Sequence, residues 1–438
     1  MKRQKKVLVF GSCGREYVLA KLFSESGYLV YWYPGNAGWR DIPNCQPPES
    51  GPASKLKDDV VSWCENQDLG LVVFGPEDPL VAGYVDACQK VGIPAFGSGR
   101  RAAQLEGSKA FAKGVMKVAC IPTAAAKIFP HSQMKQALEY AQKHFAKSDE
   151  PLVIKADGLC GGKGVKICHN LAAAEAAIIW RQQRDGFGLA GSRILIEECL
   201  QPASGLKRGE FSMFFLVNGL EFLEAPDAMD YKPVGNYDQG ENGGGSGSIS
   251  PVPFMTDDIR QTVIRTILRP LLRELNRRGI TYRGVLYLGL MMTNQGPKVL
   301  EFNCRFGDPE LQAIMLRHQG GLVDVIVAIA NGQSIAGIRP QWSRRPSVYV
   351  VMMSEGYPES PIKGDVITGI GAARNLGVTV VHAGTALGQS IFISNGGRVL
   401  GVGATGANLK QAQALAYRGV EQIQWDHEFH RTDIGTWT

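Results

Sequence analysis

The segment Leu300-Glu-Phe-Asn-Cys-Arg305 spaces three polar side chains two residues apart. Residues two apart in a strand face the same way, so Glu301, Asn303 and Arg305 are predicted to point together, with Leu300 and Phe302 on the other face. A carboxylate and an amide carbonyl are hard oxygen ligands that suit Mg²⁺ (or Mn²⁺) holding phosphates. The guanidinium could clamp a carboxylate or a phosphate with two hydrogen bonds. Solvated strand residues are the alternative, which the apolar opposite face disfavours.

A glycine-rich loop carries the second set of candidate residues. Lys155 closes one apolar predicted strand, and the loop Gly158–Gly164, with Gly161, Gly162 and Lys163, leads into the next strand. Glycines let backbone N–H groups wrap polyphosphate oxygens, and lysines supply positive charge. The spacing matches neither the Walker nor the GxGxxG pattern. The loop therefore predicts a different kind of phosphate site, with a plain hairpin turn as the alternative.

A third cluster follows the apolar run that starts at Arg193. The run ends in Glu197, Glu198 and Leu200, and Glu210 lies further on. Backbone groups at the end of such a strand could hold an adenine edge, and a carboxylate could hold a ribose. A solvated strand end is an equally good interpretation of this cluster taken alone.

The amino terminus combines a buried strand with a turn of the phosphate-binding type. Gly11-Ser-Cys-Gly-Arg-Glu16 follows a short apolar run at the start of a predicted helix, where backbone N–H groups favour anions. Two further loops, one with Asn36 and one with Glu77, fall where ligands bind to a parallel sheet. The dinucleotide fingerprint is incomplete, and no acidic residue closes a following strand. This argues against a nicotinamide-dependent dehydrogenase.

The order of strand and helix patterns predicts an α/β fold. Alternation through the first hundred residues predicts a parallel sheet with ligands at the carboxyl ends of its strands. The polar, glycine-dense segment Gly235–Ser250 is predicted to be a mobile loop. Three domains are expected. They are an amino-terminal parallel-sheet (Rossmann-like) domain at 1–104, a central domain at 105–335, and a small carboxyl-terminal α+β domain at 336–438.

Length and composition limit the class of protein. The 438 residues exceed a single core and suggest about three domains of roughly 150 residues. Apolar residues make up 44% and charged residues 20%, which is typical of a globular chain. The formal charge of +6 favours acidic small ligands and does not indicate nucleic-acid binding. No apolar run approaches the roughly 20 residues that span a bilayer. Nine cysteines without zinc spacing indicate reduced thiols in a cytosolic protein.

These motifs, in this order, resemble the phosphoribosylamine–glycine ligase (glycinamide ribonucleotide synthetase) family of ATP-grasp enzymes over nearly the whole chain. The resemblance rests on motifs that begin at Gly11, Pro34, Gly75, Gln104, Ile154, Glu301, Gly364, His382, Asn395 and Asp433. It implies that the central domain is an ATP-grasp domain with a mobile lid subdomain at about 122–197 and that the protein is a carbon–nitrogen ligase. ATP and Mg²⁺ (or Mn²⁺) are the implied cofactors, and purine biosynthesis in the cytoplasm is the implied setting.

The resemblance also implies roles for individual residues. The residues that would contact the nucleotide are Lys109, Lys155, Gly161, Gly162, Lys163, Glu197, Glu198, Leu200 and Glu210. Glu301 and Asn303 would hold the metal. The residues expected beside the amino acid and the acyl phosphate, where the chemistry occurs, are Asp230, Lys232 and Arg305. The residues that would receive the phosphorylated amine are Gly14, Arg15, Glu16, Asn36, Glu77 and Asp308.

The implied reaction joins glycine to 5-phosphoribosylamine. The glycine carboxylate attacks the γ-phosphate of ATP to give glycyl phosphate and ADP, and the amine then displaces phosphate to give glycinamide ribonucleotide. The metal and the lysines would meet the charge of the transferring phosphoryl group. Small molecules are the expected partners, without nucleic acid or membrane, and the chain is expected to be a monomer or a weak homo-oligomer.

Three positions depart from the family pattern. Tyr17 and Tyr231 stand where the family usually has histidine, and Glu241–Gly247 replaces a Pro-Asn-Thr-Gly-Gly-Met-Gly loop. All three are expected on the substrate side, so a paralogue that joins a different amino acid or a different amine is an alternative. A non-catalytic nucleotide-binding regulator and an adenylate-forming ligase are further alternatives. Production of ADP would exclude the regulator, and production of AMP would identify the adenylate-forming ligase.

Overall fold

The computed structural model describes residues 5–160, 164–182 and 193–436. Its amino-terminal part is a parallel sheet of order β3-β2-β1-β4-β5, which confirms the predicted Rossmann-like sheet. The apolar run Val7–Phe10 is buried, because helices cover both faces of such a sheet. The elements of this part are β1 (Lys6–Gly11), α1 (Gly14–Glu25), β2 (Leu29–Pro34), β3 (Cys45–Gln46), α2 (Lys57–Asn66), β4 (Leu71–Phe74), α3 (Glu77–Ala82), α4 (Tyr84–Lys90), β5 (Ala95–Phe96) and α5 (Arg100–Gly107).

A small antiparallel sheet of order β6-β9-β7-β8 follows and is called the lid sheet below. Apolar residues on the strands and on the two helices that pack against them form a core separate from those of the larger sheets, with Phe129, Ile154 and Ile196 at its centre. The elements are α6 (Lys109–Val118), β6 (Ala126–Pro130), α7 (Met134–Phe145), β7 (Leu152–Ala156), β8 (Val165–Cys168), α8 (Leu171–Gln182) and β9 (Arg193–Glu198).

A large, mainly antiparallel sheet joins the central and carboxyl-terminal parts of the chain. Its strand order is β16-β15-β10-β11-β14-β19-β23-β20, with β24 paired to β19. The central elements are β10 (Glu210–Asn218), β11 (Glu221–Asp230), β12 (Pro233–Gly235), β13 (Gln239–Asn242), β14 (Gly247–Ser250), α9 (Asp257–Val263), α10 (Arg269–Arg277), β15 (Arg283–Thr293), β16 (Gly296–Asn303), α11 (Glu310–Met315), β17 (His318–Gly320) and α12 (Leu322–Ala330).

The carboxyl-terminal part has the predicted α+β character, but its strands extend the large sheet. Strands β19, β23 and β20 continue the sheet beyond β14, so this part shares hydrogen bonds with the central part. Its elements are β18 (Gln341–Trp342), β19 (Ser347–Ser354), α13 (Ile370–Asn375), β20 (Thr379–His382), β21 (Thr385–Gly388), β22 (Ile391–Ser394), β23 (Arg398–Thr405), α14 (Leu409–Val420) and β24 (Glu428–His430).

The segment Gly235–Ser250, which the sequence predicts to be a mobile loop, contains residues of three short strands, of which the last, β14, belongs to the large sheet. Its first half pairs as β12 and β13, and β14 lies between β11 and β19 with every residue buried. Gly247 permits this close packing, since a Cβ there would lie 2.8 Å from the Tyr349 carbonyl oxygen. The loop prediction was wrong at β14, where Gly247 serves close strand packing rather than an open connection.

Two further properties concern the described part of the chain. None of its helices is both long enough and apolar enough to cross a membrane. No disulfide joins the nine cysteines, which all fall among the described residues.

The substitution Ile249→Ala tests whether β14 is a core strand. Ile249 is fully buried, so the free energy of unfolding should fall by about 2–5 kcal/mol. Ile391→Ala, at a position that is 48% exposed, is the matched control and should change it by ~0.5 kcal/mol or less. Urea denaturation measures both variants, and equal losses would contradict the assignment of β14.

Candidate active site

A cleft between the lid sheet and the large sheet gathers many of the predicted nucleotide and metal residues. Its described lining comes from the start of α3, from α5 and α6, from the lid strands, and from the end of β16 with the residues that follow it. The charged and amide residues among those that line it are Glu77, Glu106, Lys109, Lys113, Lys155, Glu197, Glu301, Asn303 and Arg305.

A β-bulge turns the end of β16 toward this cleft. Gly289 of β15 lies opposite Glu301, but the next residue, Leu290, lies opposite Val299, so Leu300 is the extra residue. Leu300 and Phe302 both line the cleft, although the sequence predicts them on the other face, so the predicted simple alternation was wrong. Glu301 and Asn303 both reach the cleft, as predicted from their spacing.

The Glu301 and Asn303 pair has the donor chemistry that a magnesium ion requires. Burial raises the pKa of Glu301, but nearby lysines, Lys232 most of all, bring it below its ordinary value, so the carboxylate is ionised. Among the described residues, no group of three or more His, Cys, Asp or Glu side chains is arranged to hold a metal by itself. The pair therefore fits a cation whose other ligands are phosphate oxygens and water.

Glu197 holds two lysines in the cleft. Its Oε1 lies 3.2 Å from Lys113 Nζ, and its Oε2 lies 2.8 Å from Lys155 Nζ. Both carboxylate oxygens are therefore occupied, which differs from the ribose contact expected for Glu197. Lys113 was not predicted, although it lies four residues after Lys109 on α6 and therefore on the same helix face. That spacing is the signal that could have identified it.

Lys109 is tied to the start of the glycine-rich loop. Its Nζ donates to the Gly158 carbonyl oxygen at 3.1 Å. Asp157 fixes the same loop on the start of α6, because its Oδ1 accepts from the Ala110 N–H at 2.7 Å and from the Ser108 hydroxyl at 3.1 Å. Lys109 and the start of the loop are thus positioned together.

The other residues predicted to contact the nucleotide are not among the described residues that line the cleft. Glu198 accepts a hydrogen bond from the Ala125 N–H at 3.0 Å and so fixes the end of β9. Leu200 follows β9 and is half-buried. Neither is among the described residues that line the cleft. Gly161, Gly162 and Lys163 lie outside the described residues.

Arg305 lies between two carboxylates at the edge of the cleft. Its Nε is 3.0 Å from Glu77 Oε2, and its Nη2 is 3.1 Å from Glu106 Oε1. Burial raises the pKa of Glu106 to about 7, although Arg305 opposes this rise. Burial also favours the protonated form of Glu77, but Arg305 overcomes it and brings that pKa to about 2. Arg305 is therefore a fixed positive charge, and Glu106, which was not predicted, helps to hold it.

Lys232, Asp230 and Glu210 form a charged cluster beside Glu301. Lys232 Nζ lies 2.8 Å from Glu210 Oε2. Burial raises the pKa of Asp230, and the charge of Lys232 opposes that rise, while Glu210 and Glu301 add to it. These three residues are not among the described residues that line the cleft, so they flank it on the Glu301 side.

Arg15 and Glu16 are buried at the carboxyl edge of the parallel sheet. Arg15 donates to Glu16 Oε1 at 2.5 Å and to the Phe306 carbonyl oxygen at 3.1 Å. Glu16 Oε2 accepts from the Cys13 N–H at 2.8 Å and closes the turn. A Cβ at Gly75 would lie 1.9 Å from Glu16 Oε1, so glycine is required where this side chain crosses the neighbouring strand end.

Asp308 and Gly14 meet where the central part contacts the carboxyl-terminal part. Asp308 accepts from Gln312 at 2.7 Å and lies 3.3 Å from Arg398 Nη1. A Cβ at Gly14 would lie 2.7 Å from Gln312 Nε2, which places the two predicted amine-site residues close together. Arg398 also donates to the Gly244 carbonyl oxygen at 2.6 Å. It was not predicted, although it ends the motif that begins at Asn395.

The side-chain polar atoms of Asn36 form hydrogen bonds within the protein. Its Nδ2 donates to the Ser12 carbonyl oxygen at 2.9 Å and to the His382 carbonyl oxygen at 3.3 Å, while its Oδ1 accepts from the Gly38 N–H at 2.8 Å. The side chain therefore ties loops together, and the contact with the amine expected for it is not favoured by this geometry.

Neither tyrosine that departs from the family pattern is among the described residues lining the cleft. Tyr17 is buried, with its ring centroid 5.8 Å from that of His382. Tyr231 is buried, and its hydroxyl accepts from the Gly435 N–H at 3.0 Å. The segment Glu241–Gly247 contacts Arg398 through the Gly244 carbonyl oxygen. All three departures thus lie against the carboxyl-terminal part.

Three protein-family models match successive parts of the chain. All three describe phosphoribosylglycinamide synthetase. The N domain matches residues 5–106, the ATP-grasp (A) domain matches residues 107–311, and the C domain matches residues 347–437.

Individual relatives match over nearly the full length. A phosphoribosylamine–glycine ligase of Allochromatium vinosum is 40% identical over 98% of both chains. One from Pseudomonas aeruginosa is 41% identical over 98% of this chain and 97% of its own. A crystal structure of phosphoribosylamine–glycine ligase from Thermotoga maritima has a TM-score of 0.80 at 30% identity and covers 98% of this chain and 99% of its own. A 2-oxoglutarate carboxylase biotin carboxylase domain from Hydrogenobacter thermophilus, in complex with MgADP and bicarbonate, shares the fold alone, with a TM-score of 0.71 at 16% identity over 98% of this chain and 92% of its own.

Glu301→Ala tests the metal pair. Loss of one ligand should lower magnesium-dependent ADP release by about 10²–10³-fold, the usual cost of removing one electrostatic stabiliser. Glu359→Ala, at an exposed position, is the control and should leave the rate unchanged. Thermal unfolding should be the same for both variants. Near-normal ADP release by Glu301→Ala would refute the assignment.

Lys155→Ala tests the lysine pair. A charge-assisted hydrogen bond to phosphate contributes about 1.5–3 kcal/mol, so ATP affinity should fall by roughly 10–100-fold. Lys113 still pairs with Glu197 in this variant and leaves no unpaired buried carboxylate. Lys166→Ala, on an exposed position of β8, is the matched control. Calorimetry with a non-hydrolysable ATP analogue measures both, and equal affinities would contradict this role.

Proposed function

The chain belongs to the phosphoribosylglycinamide synthetase family, and from this premise we propose that it uses ATP to join glycine to 5-phosphoribosylamine. The products are glycinamide ribonucleotide, ADP and phosphate, and the reaction belongs to purine biosynthesis. Full-length similarity to enzymes named phosphoribosylamine–glycine ligase supports this proposal.

The observation that carries the proposal is the convergence of two sets of side chains in one cleft. Glu301 and Asn303 supply oxygen ligands, while Lys109 and Lys155 supply positive charge. Phosphoryl transfer needs little covalent chemistry from the protein, so positioned charge of this kind can carry the rate. A Mg²⁺ ion, when bound, would neutralise the phosphate charge and orient the triphosphate.

The first step requires the glycine carboxylate to approach the γ-phosphate beside Glu301. Lys232 and Asp230 flank that position, and Arg305 supplies a third fixed charge. The cation of Lys232 would hold the carboxylate of glycine, and the carboxylate of Asp230 would hold its ammonium group. Glycyl phosphate is labile in water, so the site must exclude solvent while this intermediate is present.

The second step requires the amine to reach the acyl phosphate from the amino-terminal sheet. Gly14, Arg15, Glu16 and Asp308 lie at that edge, next to Arg305 and Arg398. The amine displaces phosphate from glycyl phosphate and forms the amide bond. In this proposal the division into 1–104, 105–335 and 336–438, with a lid at about 122–197, separates an amine-binding domain, an ATP-grasp domain and a supporting carboxyl-terminal domain.

We further propose that ATP with Mg²⁺ (or Mn²⁺) is the cofactor set and that the protein acts on small molecules in the cytoplasm as a monomer or a weak homo-oligomer. A different amino acid or amine is the alternative substrate. Both departing tyrosines are buried against the carboxyl-terminal part, so neither is placed to select the substrate by contact. This favours glycine and phosphoribosylamine.

An ADP-release screen decides between these substrates. With enzymatically generated phosphoribosylamine, glycine should give the largest ADP release of the amino acids tested, and omission of the amine should abolish sustained turnover. Glu301→Ala is the matched inactive control. Release of ADP with another amino acid but not with glycine would reassign the substrate, and release of AMP would exclude an acyl-phosphate route.

A further inference from the structure

A buried polar cluster joins the amino-terminal sheet to the carboxyl-terminal part of the chain. Asp41 lies in the 3₁₀ turn Ala37–Asp41, after β2. Its Oδ2 is 2.6 Å from Arg374 Nη2 and 2.8 Å from His382 Nε2. His382 is fully buried, and its Nδ1 lies 3.0 Å from the Thr385 hydroxyl. The Nδ1 atom is therefore within hydrogen-bond distance of a hydroxyl, whereas Nε2 lies close to Asp41 without the geometry of a hydrogen bond.

The charges of this cluster balance inside the protein. Burial favours a protonated Asp41, but His382 and Arg374 overcome it and bring the pKa of Asp41 to about 2. Burial lowers the pKa of His382 and keeps its imidazole neutral. The ionised Asp41 is thus paired with one full positive charge, that of Arg374. Removal of Arg374 would leave a partly buried carboxylate without its counter-charge.

Tyr17 adds a contact from α1. Its ring centroid lies 5.8 Å from that of His382 and 6.1 Å from that of Trp32. Burial raises the pKa of Tyr17 to about 12, and Arg374 opposes this rise through its charge and a side-chain hydrogen bond.

The cluster is connected to the turn expected to receive the amine. Asn36 donates to the carbonyl oxygens of both Ser12 and His382, so one side chain joins this turn to the carboxyl-terminal part. His382 and Tyr17 pack closely against Gly38, where a Cβ would lie 2.5 Å from His382 Cβ and 2.8 Å from the Tyr17 ring. A shift of His382 would therefore be transmitted to Asn36 and Ser12.

We propose that Tyr17, Asp41, Arg374 and His382 form an interdomain brace that positions the 11–16 turn for the phosphorylated amine. These four are positioning residues, since none is among the described residues that line the nucleotide cleft. Disruption of the brace should therefore affect binding of the amine and not binding of the nucleotide. The reason is that the brace contacts the amino-terminal turn and is not part of the described cleft lining that contains Glu301 and Lys155. Its kinetic consequence rests on the proposed function, whereas its structural consequence does not.

The kinetic test compares three variants of the full chain. Arg374→Met removes the charge, Tyr17→Phe removes only the hydroxyl, and Arg418→Met removes an exposed arginine on α14 as the matched control. Arg374→Met should raise KM for the amine by about 10–100-fold, because a displacement of about 1 Å can cost ~10²-fold. It should leave KM for ATP unchanged. Tyr17→Phe should raise the amine KM to a lesser extent, and Arg418→Met should match the unaltered chain.

Hydrogen exchange measured by mass spectrometry tests the brace without turnover. In Arg374→Met, amides in 11–17 and 34–42 should exchange faster, while those in the lid strands should not change. An unaltered amine KM with unaltered exchange would overturn the brace. Parallel increases in the KM values for amine and ATP, with faster exchange throughout, would also overturn it, because that pattern indicates general destabilisation.

The two proposals can fail separately. If the unaltered chain does not use phosphoribosylamine with glycine, the proposed function is wrong and the exchange result alone decides the brace. If it does use them and Arg374→Met alters neither amine KM nor local exchange, the brace is wrong and the function stands.

Discussion

The bulge at Leu300 is the local feature on which the arrangement of the cleft depends. It inserts one residue into β16, so that Glu301 and Asn303 reach the cleft. It also presents the Leu300 carbonyl oxygen to Lys155 at 3.2 Å, which links the lid sheet to the large sheet at the point where phosphate is expected. Without the extra residue, the alternation of β16 would direct the carboxylate and the amide to the other face.

Opposite charges are held close together around this point before any ligand arrives. Glu197 brings Lys113 and Lys155 together, although two ammonium groups would otherwise repel each other. Glu77 and Glu106 fix Arg305 in the same manner. Charges that are already oriented need no reorganisation when a phosphoryl group moves, and this is the main source of rate enhancement in electrostatic catalysis. The carboxyl-terminal part supports the opposite side of the active site through Arg398 and the cluster around Asp41.

Much of this arrangement follows from local sequence patterns, and the rest depends on distant contacts. The period of two in β16 predicted that Glu301 and Asn303 would face one site, and alternation of strands and helices predicted the parallel sheet. The bulge was not predicted, because it depends on the register with β15. The buried strand Gly247–Ser250 was misread as part of a loop, because glycine serves both open connections and close strand packing. The ties of Asn36 to His382 and of Glu197 to Lys113 join residues far apart in the chain, and no local pattern encodes them.

The central claim is that Glu301 and Asn303 bind a metal ion that also holds the nucleotide phosphates. Pulsed electron paramagnetic resonance of Mn²⁺ with a non-hydrolysable ATP analogue tests it most directly, because phosphorus hyperfine coupling reports phosphate bound to the metal. The unaltered chain should show that coupling only with the nucleotide present, and Asn303→Leu should lose the bound, coupled Mn²⁺ while it keeps its fold. Undiminished Mn²⁺ affinity and coupling in Asn303→Leu would contradict the claim.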